Sequence, residues 1–370
     1  MRLARAICSC FAIGLSFSSP LLLAQATFRV GVVGLVHGHA NQFLNDATKR
    51  KDVQIVGIVE TDSSVVQKYQ SRYNLDPGLF YSQLDAMLDT RKPEAVLVFT
   101  NTFDHRSVVE ACRKRGIHVM MEKPLAVSLE HATAMAEAAR DGKIHVLVNY
   151  ETTWYPNNQA LHSIVHQSNF GEIRKMVAHD GHAGPKELGA EPEFLSWLVD
   201  PVLNGAGALM DFGCYGANLF TWLMNNQRPL SVTAVTQQIK PQIYSRVDDE
   251  ATIIVTYPRA QGIIQASWNW PFNRKDLEVY GQTGSAVTIR SNDIRLRVGE
   301  RPEEHITPRQ PDPPADDPIH YFAAVVRGEI QPTGLSSLEN NVIVTEILEA
   351  ARRSARSGQT VLLPLKQADR

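Results

Sequence analysis

The chain has little cysteine and almost no charge bias. Only four of its 370 residues are cysteines. Cys8 and Cys10 fall in the first 26 residues, which leaves Cys112 and Cys214. A bridge between those two is open to an oxidising compartment, but nothing in the sequence requires it, and two free thiols are expected. Net charge is −2, or −4 once Arg2 and Arg5 are set aside with the first 26 residues. Neither value suits a nucleic-acid or anionic-membrane partner. After residue 26 no apolar run is long enough to cross a bilayer. There is no Gly-x-Ser-x-Gly elbow, no His-Glu-x-x-His, and no phosphate loop ending Gly-Lys-Ser/Thr. Repeats and low-complexity tracts are missing too. With 44% hydrophobic and 21% charged residues, the composition is that of a soluble globular protein long enough for two full cores.

Residues 1–26 read as an export signal. Arg2 and Arg5 precede an apolar core from about Ala6 to Leu23, and Ala24-Gln25-Ala26 is a small-x-small cleavage site. No arginine pair is present, so the unfolded-chain route is expected, with cleavage after Ala26, a periplasmic or secreted location, and no stable membrane span. From Phe28 to Asn149, apolar strands alternate with helical spacings, which implies βαβ units and a doubly wound parallel sheet. The strands are Phe28–Val33, Gln54–Glu60, Ala95–Phe99, His118–Met121 and Ile144–Asn149. After Tyr150 the pattern becomes period-two alternation through short turns, which suits an antiparallel sheet with one covered face. One helix, about Ala208–Met224, interrupts it. Residues 301–318 are proline-rich and read as a loop. Helices follow at about Ile319–Arg327 and Leu338–Ser357. The expected units are 27–149, 150–300, the loop 301–318, and C-terminal helices in 319–370.

The most informative stretch is His118-Val-Met-Met-Glu122-Lys123-Pro124. It delivers a lysine to the carboxyl edge of a parallel sheet, where open α/β folds bind ligands. Pro124 makes a rigid turn and is open to a cis bond. Burial and nearby positive charge are expected to lower the lysine's pKa toward neutrality, which suits proton transfer. The turn after the first strand, Gly31-Val-Val-Gly34-Leu-Val36-His37-Gly38-His39, is an altered dinucleotide fingerprint. Gly34 serves the tight turn, but Val36 and His39 stand where the second and third glycines belong. The following helix N-terminus still favours a phosphate. Glu60, ending the second strand, can accept bonds from ribose hydroxyls and would repel a 2′-phosphate, so NAD is favoured with NADP as the alternative. Thr100, Asn101 and His105 lie at the next strand end. Asp211 and Tyr215 are spaced i, i+4 and would share a helical face, where a nearby Lys123 would lower the phenol's pKa. His182, Trp154, Trp197, Trp268 and Trp270 are candidates to line a sugar site. His37/His39 and His179/His182 have metal-like spacing, but turn and lining roles are the commoner fate of such residues, and no metal is expected.

Together these segments resemble the glucose–fructose oxidoreductase/inositol dehydrogenase/MocA (Gfo/Idh/MocA) family. The resemblance runs from about Phe28 to Pro364 and is carried by Thr100–His105, Glu122-Lys123-Pro124, Gly205–Asn218, Val247-Asp248-Asp249, Tyr280–Ser285 and Ser354–Val361. It implies an N-terminal Rossmann domain and a C-terminal α+β domain with a large, mostly antiparallel open sheet that often makes the homo-oligomer contact. It also implies that the last helices pack back on the first domain. The implied chemistry is hydride transfer between a nicotinamide and a sugar or polyol carbon. Tyr215 with Lys123 would exchange the hydroxyl proton, and Asp211 would orient the substrate. Cofactor contacts would come from Gly34, Val36, His37, Glu60, Thr100, Asn101, His105, Glu122, Lys123 and Pro124, and substrate contacts from Trp154, His182 and Trp197. Two further readings stay open. One is an NAD-recycling glycoside hydrolase or lyase. The other is a non-catalytic carbohydrate-binding protein, which the altered fingerprint favours.

Overall fold

The computed structural model describes residues 27–365, so the export-signal reading of residues 1–26 lies outside the described residues. The first unit alternates strand and helix: β1 (Phe28–Val33), α1 (His39–Ala47), β2 (Val53–Val59), α2 (Ser63–Tyr73), β3 (Phe80–Tyr81), α3 (Leu84–Arg91), β4 (Ala95–Val98), α4 (His105–Arg113), β5 (His118–Glu122), α5 (Leu129–Gly142) and β6 (Val146–Asn149). All strand pairs are parallel, in the order β3-β2-β1-β4-β5-β6. β4 is buried throughout and β5 nearly so, which is why their sequences are continuous apolar runs rather than alternating ones. The order reverses between β1 and β4, and the ligand crevice of such a sheet opens beyond the carboxyl ends at that point. Lys123 follows directly on β5 there. The Lys123–Pro124 bond is cis.

The second unit begins with α6 (Pro156–Val165), β7 (Lys175–Gly181), α7 (Pro192–Leu198), α8 (Ala208–Asp211) and α9 (Gly213–Leu223). Strands β8 (Ser231–Gln237), β9 (Glu250–Thr256), β10 (Gln261–Ser267), β11 (Arg274–Tyr280), β12 (Gly284–Ile289), β13 (Asp293–Val298) and β14 (Glu304–Ile306) follow. The chain then runs through α10 (Pro318–Val326), α11 (Leu338–Ser357) and β15 (Val361–Leu362). The nine-stranded sheet has the order β14-β13-β12-β11-β7-β10-β9-β8-β15, and β7–β10 is its one parallel pair. Its strands alternate buried and half-buried residues, as one covered face requires. Within the expected loop 301–318, residues 304–306 form β14 against β13; the short pairing segment carried no alternation of its own to signal it.

The helix expected over Ala208–Met224 is two helices, which corrects the single-helix reading. The break is at Phe212, with φ −110° and ψ −29°. Asp248 anchors the start of α8 by accepting from Gly207 N (3.0 Å) and Leu209 N (2.7 Å). A Cβ on Gly207 would lie 1.8 Å from the Asp248 carbonyl oxygen, so only glycine passes there. Asp211 therefore ends one helix and Tyr215 sits in the first turn of the next.

Two helices join the units. α11 starts at Ser337, whose hydroxyl accepts from Asn340 N, and stops at Gly358 with φ 68°. It packs on α9 and β8 on one side and on α5 on the other, and Glu349 Oε2 accepts from Leu129 N at 2.6 Å. α10 covers the α1/α2 side of the Rossmann sheet, where Ile319 and Phe322 join Phe28, Val30 and Leu44 in one buried cluster. Phe322 meets Phe28 edge-on at 5.6 Å. Truncation by Phe322→Ala should cost about 3–5 kcal/mol, read by urea denaturation. A cost under about 1 kcal/mol would mean that α10 does not complete this core.

Candidate active site

β5 and α8 supply the centre of the site from different units. Lys123 and Asp211 are both buried, 6% and 4% exposed. Lys123 Nζ donates to Asp211 Oδ1 at 2.5 Å and to the Asp211 carbonyl at 3.1 Å. Trp268, at the end of β10, donates its indole N–H to Asp211 Oδ2 at 2.9 Å. Both carboxylate oxygens are thus engaged by the protein, and Asp211 fixes Lys123 rather than reaching freely for a ligand. Lys123 Nζ lies 5.2 Å from the Tyr215 ring centroid. None of the described residues hydrogen-bonds the Tyr215 hydroxyl, which leaves the phenol free for a ligand oxygen.

The ionisation states differ from those expected from sequence. Burial alone favours a neutral amine, but Asp211, Cys214 and Glu122 outweigh it and hold Lys123 above the ordinary lysine value. Burial also pushes Tyr215 well up, and Glu151, Cys214 and Asp211 add to it. Both groups were expected to be lowered and both are raised, for different reasons: burial comes first for Tyr215, whereas the Asp211 charge holds Lys123 up. The ion pair spends the lysine's charge on Asp211 and not on the phenol. Despite burial, Lys123 and His182 keep Asp211 below the usual carboxylate range. The resting site therefore holds an ammonium, a carboxylate and a protonated phenol.

Glu122 forms a second buried node. Its Oε2 is 2.9 Å from His39 Nδ1, and its Oε1 accepts from Asn149 Nδ2 at 2.9 Å. Asn149 Oδ1 in turn accepts from Trp154 Nε1 at 2.9 Å. A cavity of about 490 Å³ opens beside this chain, lined by His39, Phe99, Met121, Glu122, Asn149 and Trp154; Lys123, Asp211 and Tyr215 are not in its lining.

The altered fingerprint has a specific structure. Gly34 has φ +78°, and an added Cβ would lie 2.6 Å from the Thr100 side chain and 2.9 Å from its backbone, so glycine is required at the turn. Glu60, at the end of β2, accepts from Leu35 N (2.8 Å), Thr61 N (2.7 Å) and Asp62 N (3.0 Å). His37 is buried against Phe194 and Trp197 of α7, and Trp197 donates to the Val36 carbonyl at 3.2 Å. Trp197 is therefore packed on the turn and not free to stack on a sugar, which corrects its assignment. Trp268, fully buried as a partner of Asp211, is not a stacking residue either. His37 Nδ1 accepts from His39 N at 3.2 Å. Its proton is then on Nε2, a buried atom without an acceptor. That orphan donor sits in the turn that faces a dinucleotide's phosphates, and it suits an anionic oxygen. His37, His39 and Glu122 bring potential ligand atoms within 4.8 Å of one another. His37 Nδ1 is taken by the His39 amide and His39 Nδ1 by Glu122, which links the three in one hydrogen-bonded chain.

The remaining candidates divide by position. His182 is half-buried, packs edge-on to Phe212 at 4.8 Å and accepts from Gly184 N at 3.0 Å; burial lowers its pKa. His105 lies under the Pro124 turn with Nδ1 3.1 Å from the Leu125 carbonyl, and burial lowers it to about 4. It braces the turn and faces no open space. Asn101 Oδ1 accepts from Asp104 N at 3.0 Å and Asn101 Nδ2 donates to Asp104 Oδ2 at 2.7 Å, so it shapes the strand end. Lys275 is a residue that sequence reasoning missed. Its ammonium is 4.8 Å from the Tyr215 ring centroid and pairs with Glu151. Only its closeness to the end of an alternating strand could have pointed to it.

Two family models match this arrangement in chain order. Residues 28–150 match the oxidoreductase family with NAD-binding Rossmann fold, and residues 158–287 match the GFO/IDH/MocA C-terminal domain. The chain belongs to the Gfo/Idh/MocA oxidoreductase family. Its first unit is the family's NAD-binding domain. Among curated relatives, trans-1,2-dihydrobenzene-1,2-diol dehydrogenase of Macaca fuscata fuscata is 24% identical over 226 residues, 61% of this chain and 63% of that protein. Matches to dehydrogenases of that name span under two thirds of their length. D-apiose dehydrogenase of Paraburkholderia graminis is 24% identical over 85% of this chain and 84% of its own. An inositol dehydrogenase homologue from Azotobacter vinelandii, solved with NAD+, superposes with a TM-score of 0.79 at 21% identity, covering 92% and 98% of the two chains. Aldose-aldose oxidoreductase from Caulobacter crescentus, solved with glycerol, gives 0.77 at 21%, covering 91% and 100%. These likenesses establish that this family member has the shared two-sheet fold.

Glu122 yields a pH prediction. Burial pushes its carboxyl up, but His39, His37 and Asn149 outweigh burial and leave it at about 2. A depressed acid contributes stability that is complete above its unfolded value, near 4.5, and is lost as pH falls toward 2. Glu122→Gln should therefore flatten the decline of Tm between about pH 5 and pH 2.5. An unchanged decline would contradict the paired state of Glu122.

Proposed function

We propose that this chain is an NAD-dependent oxidoreductase that moves hydride between the nicotinamide and a hydroxyl- or carbonyl-bearing carbon of a sugar or polyol. The observation that carries this is the Lys123–Asp211 pair, assembled from two units beside a phenol that none of the described residues hydrogen-bonds. The family name and the sugar and polyol names of its relatives support the substrate class. NAD supplies hydride acceptance and donation. Gly34, Val36, His37, Glu60, Thr100 and the Glu122–Pro124 turn would hold it, with Glu60 favouring NAD over NADP. Lys123, held as a cation, has a third N–H with which to bind the reacting oxygen. Tyr215, held protonated, donates its proton to that oxygen in the reducing direction; in the oxidising direction the phenol must first release its own proton to solvent before it takes that of the substrate hydroxyl. Asp211 and Trp268 keep Lys123 in place. Such a charged, water-poor setting stabilises an alkoxide-like oxygen far better than bulk water does.

The wider assignment is of an exported protein, cleaved after Ala26 and working outside the cytoplasm with a tightly held nucleotide, because free NAD is scarce there. The half-buried outer face of the second sheet, with Val177, Ile254 and Ile263, suits a homo-oligomer contact.

One experiment tests the core of this. Protein purified from the exported fraction is denatured, and the released nucleotide is identified by mass spectrometry; NAD is expected. Absence of nucleotide, with no binding of added NAD or NADP, would instead support the carbohydrate-binding reading favoured by α7 packed on the phosphate turn. In parallel, Lys123→Met should keep nucleotide bound and lower kcat about 10²–10⁴-fold. A variant with near-normal kcat would remove Lys123 from the chemistry.

A further inference from the structure

Tyr215 is faced by a second ammonium that no family segment accounts for. Lys275 is on β11, directly opposite Asp180 on β7 in the antiparallel register. Its Nζ lies 4.8 Å from the Tyr215 ring centroid, slightly nearer than Lys123. Its partner is Glu151, in the single helical turn Glu151–Trp154 that follows β6. The pair therefore ties the turn after β6 to the start of β11. Tyr155 donates its hydroxyl to the other Glu151 oxygen, which fixes the carboxylate. Lys275 and Glu151 are 20% and 47% exposed, so a ligand can reach both. Arg274, the next cation along, is already paired with Asp276 at 2.8 Å and lies over Trp270.

The charges nearest the phenol are then two ammoniums, Lys123 and Lys275, and three carboxylates, Asp211, Glu151 and Glu122. Each ammonium has a carboxylate of its own. Asp180, opposite Lys275, is fully buried, and burial pushes its carboxyl well above the ordinary value; it lies beneath the pair and out of a ligand's reach. A ligand carboxylate entering here finds no unpaired cation and a net negative surround, whereas a hydroxyl group can bond the exposed Lys275 ammonium without breaking its ion pair.

We propose that the Glu151–Lys275 pair sets substrate charge in this crevice, selecting neutral polyhydroxy compounds over their carboxylated counterparts. The inference rests on the reading of the crevice as a sugar site. It makes Glu151 a specificity-determining residue through its hold on Lys275. Removing the carboxylate frees a cation beside the phenol and should admit an acid.

The test compares nucleotide-loaded wild type with Glu151→Gln and Lys275→Met, using glucose against glucuronate and galactose against galacturonate. Binding is measured by titration calorimetry and turnover by NADH absorbance. Wild type should favour the neutral sugar of each pair, and Glu151→Gln should shift the affinity ratio toward the uronate by at least about tenfold. Lys275→Met should weaken neutral sugars without gain for uronates. The double exchange Glu151→Lys with Lys275→Glu should return the ratio to the wild-type side, which controls for a folding defect in either single variant. A ratio within about twofold of wild type in Glu151→Gln overturns the proposal. Sugar binding without turnover in wild type overturns the redox reading alone, since the ratio still reports the charge effect. Failure of wild type to bind any of the four sugars overturns both.

Discussion

A buried ion pair between two separately built units governs this molecule. Lys123 stands at the carboxyl edge of the Rossmann sheet and Asp211 at the end of a four-residue helix in the other unit, 2.5 Å apart. Taking both charges out of water is costly, and the cost is offset only by close geometry and further hydrogen bonds. The Asp211 carbonyl and the Trp268 indole supply those bonds. Removing either partner would leave an unpaired buried charge, so the pair commits the two units to one relative placement. α10 and α11 reinforce that placement with apolar area, and the Leu129–Glu349 bond adds a polar tie.

The same pair decides its own protonation states. A lysine buried alone would tend toward the neutral amine and suit a base. Held by Asp211 it stays charged, and its influence on the neighbouring phenol is largely cancelled. Burial, first among the influences on Tyr215, keeps its proton in place, and the site has a defined donor rather than two groups competing for one proton. Glu122, His39 and Asn149 form a parallel polar chain one residue away, so the turn around Lys123 is charged on both sides. The altered phosphate turn fits this economy of side chains. Where bare glycine backbone is usual, His37 presents an orphan N–H and α7 lays Phe194 and Trp197 over it.

Much of the fold was legible in the sequence because it rests on local pattern. The βαβ alternation from Phe28 to Asn149 and the period-two strands after Tyr150 both reflect which faces are covered, and burial of that kind writes directly into residue order. The span of the last long helix, Leu338–Ser357, was legible in the same way. Long-range constraints were not. The break at Phe212 depends on Asp248 reaching back to Gly207 and Leu209, and no helical periodicity records that. Lys123, Asp211 and Tyr215 were found by motif, and the structure places them together. The pKa direction of Lys123 was misjudged because its partner Asp211 is 88 positions away, and that of Tyr215 because its burial depends on tertiary packing. Trp197 and Trp268 were read as stacking surfaces; both are instead held by partners in other elements. Lys275 had no motif at all, and its significance exists only once β11 lies beside β7.

The most direct test of the central claim is a crystal structure of the nucleotide-loaded protein with a bound polyol. One ligand oxygen is expected within hydrogen-bonding distance of both Lys123 Nζ and the Tyr215 hydroxyl, with the Lys123–Asp211 contact intact and the carbon bearing that oxygen against the nicotinamide. A ligand seated elsewhere, or a Lys123 that leaves Asp211 to reach it, would contradict the claim that this pair organises the site.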